Sequence, residues 1–189
     1  MKLFKRLRSA PAPGVEVLQC RASEIVTTLA STSLSPTFVS GYVSPHVDID
    51  PIARAVTARF PGVPVMLCST AGELCGDGES LYCRTGDSWD RVVIQCFDAS
   101  LVARAQVVAV PLRCEDLRRG LREVSAKERV DRIARDIQSV RLDVDIDYRD
   151  TLAYILFDGL SASESFFMEA LYDSGRFPCL FVGGSAGGK

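Results

Sequence analysis

Apolar positions along the 189-residue chain change their spacing from segment to segment, and the spacing predicts the order of elements. Val15 to Cys20 (VEVLQC) reads as a strand, and Glu24 to Ala30 as a short helix before the polar stretch STSLSP. TFVSGYV, 37–43, is the next strand. In DIDPIARAVTARFPG, 48–62, Asp50 is placed to cap a helix and Pro51 to open it. The helix carries its apolar stripe on Ile52, Ala55, Val56 and Phe60 and stops at Pro61-Gly62. VPVMLC, 63–68, is a buried strand that runs straight into the glycine-rich loop STAGELCGDGES.

SLYCRT, DRVVIQCF and LVARAQVVAVPL then read as consecutive strands, the last two expected to pair antiparallel across the short turn DAS. From Cys114 to Arg141 the pattern becomes helical. Leu117, Leu121 and Val124 form one stripe; Ser125 and Glu128 form a capping box for a second helix with Val130, Ile133, Ile137 and Val140 inward. DVDID, 143–147, lacks the glycine and glutamate of a calcium loop and reads as the solvated edge of a strand. TLAYILFDG is a long apolar strand, followed by a helix capped by Ser161 with Glu164 and buried through Phe166, Phe167, Ala170 and Leu171. FPCLFV is the final strand, emptying into glycine. Crossovers mixed with hairpins imply an α/β fold with a mixed parallel and antiparallel sheet covered by helices, expected to be incomplete at the C-terminus.

Composition narrows the classes. A net charge of −2, from 22 basic and 24 acidic side chains, gives no footprint for nucleic acid. No apolar run approaches the ~20 residues of a spanning helix. Residues 1–14 read as a basic, flexible tail without a signal-peptide apolar core. Seven cysteines without a CxxC pair fit a reducing compartment. Of these, Cys68, Cys96 and Cys179 lie in apolar runs and read as core, whereas Cys75, Cys83 and Cys114 lie in polar surroundings and are expected to be accessible. The charged stretch 113–141 reads as a solvated helix face, with Glu128–Arg132 and Asp131–Arg135 at i,i+4 spacing.

The closing residues, VGGSAGGK, admit three readings. Gly183, Gly188 and Lys189 fit a phosphate-binding loop up to the hydroxyl residue that should follow, with YILFD, 154–158, as a strand ending in Asp of the kind that partners such loops. Gly183, Ser185 and Gly187 fit the GxSxG elbow of serine hydrolases. The third reading joins this segment to an earlier one. VSPHVDIDPIARAVTARFPGVPVMLCSTAGE, 43–73, resembles the amino-terminal part of the FIST family, in which a strand empties into a C-[ST]-T-A-G-E turn. Here that turn is Cys68 to Glu73, and Gly183, Gly184, Ser185, Ala186 and Gly187 match the family's later G-G-x-A-G stretch. The resemblance runs from about Val15 onward, so that 15–189 is expected to be one FIST-like sensory domain.

What the resemblance implies is an intracellular, cytoplasmic and non-enzymatic sensory module. Such a module binds a small ligand and signals to a partner such as a histidine kinase or a cyclic-dinucleotide enzyme. A bacterial subset is similar to haem-bearing nitric oxide sensors. The expected ligand contacts are Ser69, Thr70, Gly72, Glu73, Gly183, Gly184, Ser185 and Gly187, through backbone N–H groups, hydroxyls and the Glu73 carboxylate. His46, the single histidine, is the candidate axial ligand for haem iron, with Cys75 or Cys83 as the thiolate alternative. The different-class alternative is an enzyme using the closing loop for phosphate or acyl chemistry.

Overall fold

The structure, a computed structural model, describes residues 14–74, 83, 88–121 and 123–187. Its architecture is α/β, with both antiparallel and parallel strand pairs and helices packed on them. Two compact units divide the chain: Met1–Leu67 with Glu73–Ala105, and Cys68–Gly72 with Gln106–Lys189.

In the first unit, β1 (Val15–Arg21) leads through a 3-10 turn into α1 (Ile25–Ala30). Then come β2 (Phe38–Val43), α2 (Ile49–Arg59), β3 (Val65–Ser69), whose end belongs to the second unit, and β4 (Arg91–Phe97). The sheet order is β1-β4-β2-β3. β4 lies antiparallel to both β1 and β2, with Leu18 and Gly41 flanking Ile94. β4 is bonded along both edges and carries Val92, Val93, Ile94 and Cys96 inside. One face packs Val92, Ile94 and Cys96 with Ile25 and Leu29 of α1 and Ile52, Val56 and Phe60 of α2.

The central place of β4 overturns the expected hairpin. Because β1 and β2 occupy its two edges, β4 has no edge free for 101–112, and that segment forms no strand. Two smaller corrections follow from backbone geometry. The α2 cap is Asp48 rather than Asp50: Asp48 is extended and its carboxylate accepts the Asp50 N–H at 3.1 Å. SLYCRT lies outside the described residues except Cys83, which is buried, as is Cys114, so neither is the accessible thiol expected.

The second unit holds α3 (Glu115–Arg118), α4 (Ala126–Ser139), β5 (Leu152–Asp158), α5 (Glu164–Ser174) and β6 (Leu180–Ala186). Its core joins Val130, Ile133 and Ile137 of α4 to Phe157 of β5 and Phe167, Ala170 and Leu171 of α5. The Phe157 and Phe167 rings meet edge to face, centroids 5.2 Å apart.

The stripe Leu117, Leu121, Val124 does not become a helix. α3 ends after one turn at Gly120, which has φ +71°, and Leu121 is exposed. Ser125 does cap α4, accepting the Glu128 N–H at 3.2 Å, but the Glu128 carboxylate pairs with Arg132 at 2.5 Å instead of closing a capping box. Asp131 takes Lys127 at 2.7 Å rather than Arg135. Val140, expected inward, is the half-buried residue at the C-cap of α4. The Ser161 and Glu164 box is also absent. Ala162 sits at φ +50°, a non-helical bend that delays the helix, and Ser163 gives its hydroxyl to the Leu112 carbonyl at 2.7 Å. DVDID is loop, not strand edge.

One charged pair lies inside this unit. Arg129 is 1% exposed and Asp116 5%. The guanidinium reaches both Asp116 carboxylate oxygens at 2.7 and 2.9 Å, donates to the Arg113 carbonyl and stacks near the Phe166 ring. The hydrogen bond from Arg129 holds the Asp116 carboxyl far below the ordinary range, despite desolvation. A depressed folded-state value contributes stability that is complete above about pH 4, the unfolded value, and is lost as pH falls below it. Asp116→Asn therefore removes part of the acid-side loss of Tm between about pH 4 and pH 2. Because it leaves Arg129 buried without a counter-charge, it also lowers Tm at pH 7 by on the order of 10 °C. Thermal melts of both proteins across that range check each effect.

Candidate functional site

The closing glycine segment is strand rather than turn. β6 runs through Gly183, Gly184, Ser185 and Ala186 and pairs parallel with β5, setting Ile155 against Gly183, Leu156 against Gly184, Phe157 against Ser185 and Asp158 against Ala186. Glycine is required at 183: φ is +151°, and a Cβ would collide with the backbone of Ile155. The glycines were legible, but the role of Gly183 is to let two backbones approach, not to reverse the chain.

Gly187 follows β6 and meets the other motif. A Cβ on Gly187 would lie 3.5 Å from the Ala71 Cβ, an ordinary van der Waals contact. Both residues belong to the second unit, so the two motif segments adjoin within one compact body. In the 68–72 turn, the Gly72 N–H points to the Thr70 hydroxyl at 3.4 Å. Ser69 is the last residue of β3 and half-buried; Gly183, Gly184, Ser185 and Gly187 are exposed.

Glu73 belongs to the first unit and is turned inward. It is 3% exposed, and the Ser44 hydroxyl lies 3.0 and 3.1 Å from its two carboxylate oxygens. Ser44 in turn accepts the Arg91 N–H at 3.3 Å, so the Glu73 carboxylate is tied to the ends of β2 and β4. This partnership was missed in the sequence, although Ser44 lies in the 43–73 segment that carries the family resemblance.

His46 sits exposed on the turn between β2 and α2, its ring centroid 6.4 Å from that of Trp89 and tilted by 56°. Cys83 is buried, its sulfur accepting the Gln19 amide at 3.0 Å; Cys75 lies outside the described residues. Two clefts open in the second unit. One, of about 210 Å³, is walled by Arg113, Asp116, Arg119 and Arg132; the other, of about 430 Å³, by Val108, Val110, Asp136 and Val140. Neither is lined by a residue of the two motifs.

The same geometry bears on the enzyme alternatives. Ser185 lies within a hydrogen-bonded strand, whereas a nucleophile elbow places its serine on a strained strand-to-helix turn. A phosphate loop likewise requires residues 183–186 to wrap as a turn, and they are extended. Gly188 and Lys189 are outside the described residues.

Residues 37–189 match the sequence model of the family described as FIST N domain, about four-fifths of the chain, and the chain belongs to that family. FIST is a signal-transduction sensory domain family, and a sensory role follows for this chain at that level. Neither a curated protein nor a solved structure matches it. Among the described residues no helix is long and apolar enough to cross a membrane.

Gly183→Ala tests the strand assignment. The added methyl must push β6 off β5, so the variant is expected to lose roughly 2 kcal/mol or more, a combination of backbone strain and broken ladder bonds. Urea unfolding followed by circular dichroism measures it, and Gly184→Ala, where a Cβ meets no atom within 4 Å, serves as the control.

Proposed function

We propose that this chain is a small-ligand sensory module whose ligand sits where the 68–72 turn adjoins the end of β6. Binding there passes to a signalling partner, such as a histidine kinase or a cyclic-dinucleotide enzyme. The observation that carries the reading is the contact between Gly187 and Ala71: two segments far apart in sequence, both motifs of the family, adjoin at the carboxyl ends of strands. In sheets with parallel strands that edge is the usual ligand-binding position. Small residues on both sides leave backbone groups approachable, and Thr70 and Ser185 add hydroxyls. Such a surface favours a small polar ligand.

Haem is the narrower form of the reading, and the residues present fit it poorly. A haem site needs an apolar enclosure around its axial ligand, whereas His46 is exposed on a turn beside Trp89. Neither described cleft is lined by histidine or cysteine.

Thermal-shift measurements with amino acids, small carboxylic acids, ATP and haemin separate the possibilities. A small polar compound at about a hundred times its Kd is expected to raise Tm by about 5–10 °C, with no turnover. Gly187→Leu, which fills the space against Ala71, abolishes that rise while leaving the circular dichroism spectrum intact. Stabilisation by ATP with hydrolysis, or turnover of an ester, would instead support the enzyme alternative. A haemin Soret shift that His46→Ala removes would restore the haem reading.

A further inference from the structure

The strand ending YILFD delivers Asp158 to the same edge as the proposed ligand position, and the structure gives that aspartate a partner the sequence did not reveal. Register sets Asp158 directly beside Ala186, one residue before Gly187. The Gly159 N–H donates to the Ala186 carbonyl at 2.9 Å, and a Cβ on Gly159 would lie 2.7 Å from that oxygen, so only glycine lets this loop close on the end of β6. Asp158 accepts the Leu160 N–H at 2.9 Å through one carboxylate oxygen and pairs with Arg118 through the other. Arg118 comes from the last residue of α3. Its side chain is 50% exposed and that of Asp158 44%, so the pair stands in solvent.

We infer that Arg118 is the anion-recognising residue of this site, held in place by Asp158, and that the ligand therefore carries an oxyanion, carboxylate or phosphate. The inference rests on the sensory reading above and names the chemistry of its ligand. An exposed arginine–carboxylate pair contributes little to folding, so its arrangement is free to serve recognition. A guanidinium has five N–H groups in a planar fork, and one carboxylate cannot occupy them all. Asp158 aims the fork and competes for it at the same time. The Gly159 N–H is taken by the Ala186 carbonyl and the Leu160 N–H by Asp158, so the group that an arriving oxyanion meets here is the Arg118 guanidinium.

That competition gives the test its sign. Inorganic phosphate and succinate, each titrated at constant ionic strength against a chloride background, are the probes, with binding read by calorimetry on the whole chain. One of them is expected to bind wild type saturably, and which one identifies the phosphate or carboxylate source. Arg118→Met weakens that binding at least tenfold, since a charge-assisted hydrogen bond is lost. Its Tm in chloride stays within about 2 °C of wild type, and Arg118→Lys recovers part of the affinity. Asp158→Asn, whose amide oxygen still accepts the Leu160 N–H, binds the probe several-fold more tightly because the competing charge is gone.

Equal affinity in Arg118→Met and wild type overturns the inference, as does failure of both probes to bind wild type and Asp158→Asn. If Gly187→Leu abolishes binding of a small polar compound while Arg118→Met leaves it untouched, the site stands and this role of Arg118 falls. If Arg118→Met abolishes oxyanion binding while Gly187→Leu does not affect it, the placement beside Ala71 is what fails.

Discussion

The parallel approach of β6 to β5 at Gly183 is the constraint on which the functional half of the molecule rests. Parallel ladders demand a fixed register, and a side chain at 183 would strike the facing backbone of Ile155 before the ladder bonds formed. With glycine there, Asp158 is set against Ala186, and Gly187 emerges beside Ala71. The motif that first reads as a flexible turn thus acts as a spacer between backbones.

The buried pair of Arg129 with Asp116 extends that order to the helices. α3 is a single turn and has little helix stability of its own; Asp116, on that turn, is anchored to a side chain from the middle of the unit. The same turn carries Arg118 at its end, two residues from Asp116. The buried pair thereby anchors the turn from which that exposed cation projects.

Much of this was legible in the sequence. The apolar periodicities located β1, β2, α2, β4, α4, β5 and α5 nearly in place, because each buries a stripe that its neighbours require. The errors share a cause: local pattern carries no information about which edges or partners are taken. LVARAQVVAVPL has the composition of a strand, yet Val107 and Val108 remain exposed, because β4 has no free side. Ser161 and Glu164 have the spacing of a box, yet Ala162 bends the backbone between them. Arg129 was passed over as one charge among many, although 129, 133 and 137 share one helix face and the latter two were already placed in the core. The family motifs marked the 68–72 and 183–187 segments; Arg118 carried no motif and became visible only through its ion pair.

The thiols of the first unit have a consequence of their own. Cys96 is fully enclosed on β4, and burial raises its ionisation to about 11; burial also raises that of Cys20 on β1. Since alkylating reagents attack the thiolate, both sulfurs stay silent at neutral pH for as long as the sheet is closed. The rate at which they become reactive then reports how often the sheet opens, so the native chain already contains a clock for its own breathing.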